Sequence, residues 1–259
     1  MLLPLFGCRL VGARPTNFRD WSPDMDALCT AEVNRSVVTV RNIRSCDYQT
    51  EDTYVVNRYD QTFDLTRLRS VDLVVIPFKN TPSLAHTMFS FGFDDEQYLA
   101  VSIEPRRVKG ATAGAFLSFL DQYELAYVVG DERDLIRLRT NVRGEDVYLY
   151  RMRTTPEQAW GLFTDVMERA NQLAQRPEFY NALTNNCTTN LVDHINRVSP
   201  GTIRYGPGVL LPGYFDRVAF DAGLLDTRGS YAETRRRARI NDLALRYGER
   251  PDFSKLIRR

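Results

Sequence analysis

The chain has 259 residues, of which 43% are hydrophobic and 26% charged, and its formal net charge is +1. These values are typical of a globular protein with one large domain, or one medium domain with extensions, and they give no bulk attraction to nucleic acid. No apolar run reaches the ~18 residues that a membrane-spanning helix needs, so none is predicted.

Metal and cofactor motifs are missing from the sequence. The four cysteines form no CxxC pair and the two histidines show no HxxxH spacing, which argues against a structural zinc site. There is no GxxxxGK[ST] phosphate loop, and Gly206 and Gly208 do not follow a strand as a dinucleotide fingerprint requires. We therefore expect neither a metal nor a cofactor.

The N-terminal part divides into a short apolar stretch and a strand-rich extension. Residues 1–15 are too short for a complete signal peptide, so we interpret them as a truncated or mis-started export or anchor segment, or as a disordered terminus. Residues 16–65 alternate like strands, with a hairpin around Asn34-Arg35. Cys29 and Cys46 flank this hairpin, and the sequence leaves open whether they form a disulfide or remain buried thiols.

A β-hairpin is the clearest element of residues 66–226, the predicted main domain. Two alternating runs, 86–93 and 98–104, are separated by a polar turn centred on Asp95. The register that matches apolar residues on one side pairs Phe91 with Leu99, Phe89 with Val101, Met88 with Ser102, and His86 with Glu104. Since directly opposite residues have Cβ atoms roughly 5 Å apart, the hairpin places an imidazole beside a carboxylate.

Further elements complete the domain and its tail. The apolar patterns predict strands at 71–77, 124–130 and 147–151, and helices at 112–122, 156–174 and 214–222. Residues 227–259 form a basic helical tail, in which 235–239 is interpreted as a solvated helix face, with contact to anionic lipid headgroups as the alternative. The predicted fold class is α+β, an antiparallel sheet packed against helices, with an N-terminal β extension.

The segment around Cys187 has the pattern of a nucleophile at a helix start. Asn185 or Asn186 is a natural N-cap, so Cys187 falls in the first turn of a helix that ends near residue 198. Unpaired backbone N–H groups and the helix dipole favour a thiolate there. His194 lies ~10.5 Å further along this helix, too far to act as its base, and is expected to be a surface or packing residue. The expected base is therefore His86.

Glu104 and three supporting residues complete the predicted site. A carboxylate on one ring nitrogen of His86 fixes the tautomer and leaves the other nitrogen free to act as base. The supporting residues are Asn185, Asn186 and Ser102. The oxyanion of a tetrahedral intermediate is expected to meet backbone N–H groups at the helix start, with the Asn186 side chain as a further candidate.

The chain order of these residues carries a family resemblance. A histidine strand, then an acidic strand, then a cysteine helix reverses the papain order and resembles the circularly permuted papain-like (NlpC-type) fold. Nearly the whole chain from residue 14 also resembles the Lnb N-terminal periplasmic domain family, most specifically at 85–93 and 180–190. The other similar segments are 14–17, 20–21, 40–44, 50–52, 102–104 and 210–214.

The resemblance implies cysteine-dependent acyl transfer through a thioester, because the family's founding enzyme is a lipoprotein N-acyltransferase. Cys187 would accept the acyl group, His86 would be its base and Glu104 would orient His86. A phospholipid or lipoprotein substrate, a membrane surface nearby, and a periplasmic or inner-membrane-associated location facing the periplasm are implied as well. Membrane-embedded parts of the founding enzyme have no counterpart in this sequence, which leaves the acceptor open. The expected activity is thus that of a lipoprotein N-acyltransferase or of a lipid acyltransferase or hydrolase. The alternatives are a cell-wall cysteine peptidase or amidase, and a catalytically inactive periplasmic binding module.

Overall fold

A computed structural model describes residues 14–94, 96–110, 123–227 and 229–258. They build an α+β fold in which one mixed sheet carries helices on both faces. The predicted helix at 112–122 lies outside the described residues, as does most of the predicted export or anchor segment at 1–15.

The sheet has eight strands within the described residues. They are β1 (Thr30–Asn34), β2 (Val37–Tyr48), β3 (Tyr54–Asp64), β4 (Leu68–Phe78), β5 (Thr81–Phe93), β6 (Tyr98–Arg106), β7 (Glu124–Gly130) and β8 (Tyr148–Arg151). Their order is β1-β2-β7-β6-β5-β4-β8, and β3 pairs with β2. The prediction of an antiparallel sheet is wrong at one junction, since β2 and β7 are parallel where Arg44 meets Gly130. Asp134, just beyond β7, binds the Arg44 guanidinium at 2.8 Å and holds this junction together.

The N-terminal extension is part of this sheet. Its predicted hairpin is confirmed, with Asn34 paired to Val37 across a turn in which Arg35 has a φ of 54°. Cys29 and Cys46 are free, buried thiols, so the disulfide that the sequence left open is not formed. Burial raises the pKa of both thiols to about 12, which keeps them protonated and unreactive.

Eight α-helices in the described residues cover the sheet. They are α1 (Glu132–Arg137), α2 (Pro156–Gln175), α3 (Cys187–Val198), α4 (Pro207–Leu210), α5 (Phe215–Asp221), α6 (Tyr231–Ala238), α7 (Asn241–Tyr247) and α8 (Phe253–Leu256). The predicted helices at 156–174 and 214–222 are thus confirmed. Thr155 caps α2 in a capping box with Gln158, and proline at the first position suits a helix start.

The two faces of the sheet bury different clusters. On one face α2 and α3 pack against the phenylalanines of β5, where the rings of Phe91 and Phe163 meet edge to face at 5.0 Å. On the other face Met88 packs with residues of α1 and of the C-terminal segment, including Phe253 and Ile257. The tail is therefore packed against the sheet through α7 and α8.

The basic run at 235–239 is only partly the solvated face that the sequence predicts. Arg236 and Arg237 are exposed, as expected. Arg235 instead pairs with the buried Asp216 and lies 4.0 Å from the centre of the Tyr148 ring. Arg239 pairs with acidic neighbours, Asp146 at 2.9 Å among them. Two of the four arginines in this run are therefore committed to ion pairs within the fold.

Candidate active site

The site lies where β5 and β6 separate. The predicted hairpin register is confirmed for Phe91–Leu99, Phe89–Val101 and Met88–Ser102. Beyond that last pair β5 continues beside β4, while β6 continues beside β7. His86 and Glu104 consequently face a fork between strands, and they meet through their side chains, with His86 Nε2 3.3 Å from Glu104 Oε1.

Ser102 bridges the histidine and the carboxylate. Its Oγ lies 2.6 Å from His86 Nε2 and 2.6 Å from Glu104 Oε1. An ionised carboxylate only accepts hydrogen bonds, so the single hydroxyl proton is donated to Glu104 and the Ser102 oxygen accepts from Nε2–H. His86 is thereby held in the tautomer that leaves Nδ1 without a proton. Nδ1 is therefore the ring nitrogen that is free to accept a proton.

Arg139 fixes the charge of Glu104 from the other side. A π-helical turn, Leu138–Val142, follows α1 and carries this arginine into the interior, where its Nη2 lies 2.5 Å from Glu104 Oε1. Burial alone would raise the pKa of Glu104, but the charges of His86 and Arg139 outweigh it and hold this pKa far below its usual range. Glu104 is thus a carboxylate at any pH at which the protein would work.

The helix α3 begins where the sequence predicts. Asn186 is the N-cap: its Oδ1 accepts from Thr189 N–H at 2.9 Å, and Thr189 Oγ1 accepts from Asn186 N–H at 2.9 Å. Asn186 Nδ2 donates to Ala182 O at 2.7 Å. Both ends of this amide are engaged, so the side chain supports the helix start and is not directed at an oxyanion.

Asn185 has a supporting role in the same turn. Its Nδ2 donates to Phe179 O at 3.0 Å, and its Oδ1 accepts from Asn190 Nδ2 at 2.9 Å. These bonds hold the chain that precedes Cys187 against the first turn of α3.

The Cys187 thiol is buried at the fork. Its Sγ lies 4.0 Å from Ala85 O, and the neighbouring Thr188 hydroxyl lies 3.1 Å from that of Thr87. Burial raises the pKa of Cys187, but hydrogen bonding and charge from His86, with further donors on Thr87, bring it down to about 7. A substantial fraction of the thiol is thus ionised at neutral pH.

His194 is a packing residue, as the sequence predicts. It is buried, with Nδ1 2.5 Å from Asp165 Oδ2 and Nε2 2.8 Å from the Tyr127 hydroxyl. Tyr127 donates to Asn190 Oδ1 at 3.0 Å, so this network connects α2, α3 and β7. Burial lowers the pKa of His194. The carboxylate of Asp165 opposes this shift, and the positive charge of Arg197 adds to it.

Three residues around the site are not predicted from the sequence: Thr87, Arg139 and Tyr180. Thr87 follows His86 on β5, and because successive side chains of a strand point to opposite faces, the pattern does not predict that both lie near Cys187. Arg139 depends on a π-helical turn that has no clear sequence pattern. Tyr180 is brought near the start of α3 by the turn in which Asn181 pairs with Asn185, and the repeated asparagines at 181, 185 and 186 are the available sequence signal for that turn.

The described residues provide neither a metal site nor a membrane-spanning helix. Across the described ranges, no group of three or more histidine, cysteine, aspartate or glutamate side chains is arranged to hold a metal ion. None of the helices in that same part of the chain combines the length and the apolar character needed to cross a bilayer.

The fold and the site together define an α+β domain with a cysteine–histidine–glutamate site at a helix start. A family model, the Lnb N-terminal periplasmic domain, matches residues 56–208, which include every residue of the site. The chain belongs to the Lnb N-terminal periplasmic domain family, and it faces the periplasm. No curated protein and no solved structure matches the chain.

Proposed function

We propose that this domain performs cysteine-dependent acyl transfer through a thioester, in the manner of a lipoprotein N-acyltransferase or of a lipid acyltransferase or hydrolase. The observation that carries the proposal is the chain of contacts from Arg139 through Glu104, Ser102 and His86 to Cys187, which ends at a thiol whose pKa is about 7. A thiol kept only for packing has a raised pKa, as Cys29 does.

The reaction would proceed in two half-reactions. His86 Nδ1 takes the thiol proton, and the Cys187 thiolate attacks the carbonyl carbon of an ester or amide. Collapse of the tetrahedral intermediate expels the alcohol or amine, which receives the proton from His86, and leaves a thioester on Cys187. An amine or a water molecule then attacks the thioester carbonyl while His86 takes a proton from it. The C–S bond breaks, which releases the Cys187 thiolate and leaves the acyl group on the amine or on water.

Exposed apolar side chains near the helix start support a lipid as the acyl donor. Gly213 packs so closely on β5 that an added Cβ would lie 1.9 Å from Pro82 O, which places the turn at Pro212–Tyr214 near the strand that carries His86. The exposed large side chains in this region are Leu183, Tyr205, Leu210, Leu211 and Tyr214. Exposed side chains of this kind suit contact with an acyl chain better than with a polar cell-wall peptide.

The first test is the rate of Cys187 alkylation by iodoacetamide as a function of pH, with Cys8, Cys29 and Cys46 replaced. The parent chain is expected to show an apparent pKa near the value of about 7. In His86→Ala that apparent pKa should rise toward the free-thiol value of ~8.5 or above, because the largest contributions that oppose burial are then lost and the Thr87 donors remain.

Mass measurement of acyl adducts on Cys187 would identify the class of acyl donor. Intact-mass measurement after incubation with phospholipid vesicles should show an acyl group on the parent chain and none on Cys187→Ser. If Cys187 is alkylated slowly and His86→Ala does not change the rate, the proposed enzymatic activity is contradicted. An inactive periplasmic binding module would then be the remaining alternative. A reactive thiol that accepts acyl groups only from peptide substrates would favour the peptidase or amidase.

A further inference from the structure

A cleft of about 220 Å³ opens between the start of α2 and the end of α3. Its floor is apolar: Leu162 of α2, Ile195 of α3 and Met152, which follows β8, line it and are almost fully buried. Val198 and Leu224, both half-buried, line it as well. Because a cavity of ~150 Å³ holds a benzene molecule, this cleft has room for an alkyl group of about nine carbons.

The cleft is separate from the Cys187 site. Ile195 is eight positions beyond Cys187 on α3, which places it ~12 Å further along the helix axis. Val198 is one turn further still. None of the residues that line the cleft belongs to the chain of contacts from Arg139 to Cys187.

Three polar side chains on the rim are already committed to hydrogen bonds. Gln158 Nε2 donates to Ser199 Oγ at 2.9 Å, which ties the first turn of α2 to the end of α3. Thr202 Oγ1 donates to Ser199 O at 2.7 Å. These bonds fix the two helix ends that border the cleft, so the cleft is formed in advance of any ligand.

Two other side chains on the rim are available to a ligand. Within the described ranges, the exposed Arg153 guanidinium has neither an ion pair nor a hydrogen bond, and the Thr154 hydroxyl has no hydrogen-bond partner. Nearby arginines differ, since Arg151 pairs with Asp72 at 2.6 Å and Arg197 with Asp165 at 3.0 Å. A cation and a hydroxyl donor therefore stand side by side at the edge of an apolar floor.

The two helix ends set the direction in which a charged ligand would lie. Arg153 and Thr154 directly precede Thr155, the N-cap of α2, where the helix dipole favours a negative charge. Ser199 is the C-cap of α3, where the dipole disfavours one. An anionic group is thus favoured on the Arg153 side, with an apolar chain directed toward α3.

We propose that this cleft binds a medium-chain monocarboxylate. The carboxylate accepts hydrogen bonds from Arg153 and Thr154, because a guanidinium matches the two oxygens of a carboxylate in charge and in geometry. The alkyl chain packs on Met152, Leu162 and Ile195. The site is additional to the proposed acyl transfer and does not depend on it.

Isothermal titration calorimetry of the full chain with hexanoate, octanoate, decanoate and dodecanoate tests the fit. Each buried methylene contributes about fourfold in affinity, so octanoate should bind about 15-fold more tightly than hexanoate. Dodecanoate should gain less than about twofold over decanoate, because the cleft is already filled at about nine carbons. Octanol, which has the same chain length and no charge, should bind more weakly than octanoate.

Two variants test the two halves of the cleft. Arg153→Gln removes the cation and should weaken octanoate binding by about fivefold, as expected for an exposed ion pair. Val198→Trp fills the cleft and should abolish binding. Arg176→Gln is the matched control, since Arg176 is an exposed arginine at the opposite end of α2, and it should bind octanoate as the parent chain does. The alkylation profile of Cys187, measured in each variant, reports that the fold is intact.

Four results would overturn the proposal. They are no saturable binding of any of the four acids, an affinity that keeps rising through dodecanoate, octanol binding as tightly as octanoate, and octanoate binding by Arg153→Gln equal to that of the parent chain. Arg153 lies on the surface, so this variant decides the question even where Val198→Trp disturbs packing. Each of these results leaves the proposed acyl transfer untouched, because Cys187 takes no part in them.

Discussion

At the scale of single residues, Ser102 decides which ring nitrogen of His86 carries the proton. The hydroxyl sits 2.6 Å from both the imidazole and the carboxylate and can donate only one proton. Ser102→Ala should therefore loosen the tautomer and the ring orientation. We expect acylation at neutral pH to fall by about 10-fold, which corresponds to ~1.4 kcal/mol, the net value of one good hydrogen bond. The apparent pKa of Cys187 in the alkylation profile should rise, but less than in His86→Ala.

Ser90→Ala is the control for this change. Ser90 is buried in the same strand as His86 and donates to Glu132 at 2.5 Å, on a network that does not reach Cys187. It should lower the free energy of unfolding without moving the alkylation profile. Equal profiles for Ser102→Ala and the parent chain would show that Glu104 orients His86 directly across their 3.3 Å contact.

The candidate site shows which residues local pattern can predict. The place of Cys187 at a helix start and the nearness of His86 to Glu104 can be predicted from the sequence, because a helix start and a hairpin register are set by neighbours along the chain. Arg139 and Tyr180 cannot, since their positions depend on a π-helical turn and on the packing of a loop against β7. The sequence predicts the Asn186 side chain as a candidate oxyanion donor. In the structure that side chain caps α3 instead.

At the scale of elements, the start of α3 couples helix stability to thiol chemistry. Asn186→Ala removes the cap and should lower the free energy of unfolding by about 1 kcal/mol. Asn186→Asp keeps an acceptor for Thr189 N–H but adds a negative charge beside Cys187. That charge disfavours the thiolate, so the pKa of Cys187 should rise and alkylation at neutral pH should slow.

The cap of α2 provides a matched comparison, since Thr155 and Gln158 form the same kind of capping box there. Thr155→Ala should reduce stability about as much as Asn186→Ala does, as measured by urea unfolding, and should leave the alkylation profile of Cys187 in place. A profile in Asn186→Asp that matches the parent chain would mean that the thiolate does not sense charge at the cap.

At this scale, the sequence predicts most strands of the sheet but not all of their pairings. Strands β4 to β8 were recognised because each is an apolar or alternating run bounded by turns, and β5 and β6 pair across a short loop. The parallel contact of β2 with β7 was missed, because Arg44 and Gly130 are far apart in sequence. Nothing in the alternation of β2 indicates which strand will lie beside it.

At the scale of the whole molecule, the C-terminal segment is bound to the sheet by a buried ion cluster. Arg258 Nη2 lies 2.9 Å from Asp72 Oδ2 and 2.6 Å from Glu132 Oε1, and its guanidinium stacks 3.7 Å from the centre of the Tyr98 ring. Both carboxylates are almost fully buried. This arginine therefore ties α8 to β4, β6 and α1, on the face of the sheet opposite α2 and α3.

Arg258→Met is expected to lower the free energy of unfolding by about 3–5 kcal/mol, because it leaves two buried carboxylates short of their partner. Arg250→Met is the control: Arg250 pairs with Asp252 at 3.0 Å on the surface, and its loss should not shift the urea midpoint. Since the cluster lies on the other face from the Cys187 helix, alkylation of folded Arg258→Met should follow the parent profile. Two results would contradict a purely structural role for Arg258. One is a large change in the alkylation profile of Arg258→Met, and the other is a urea midpoint as little changed as that of Arg250→Met.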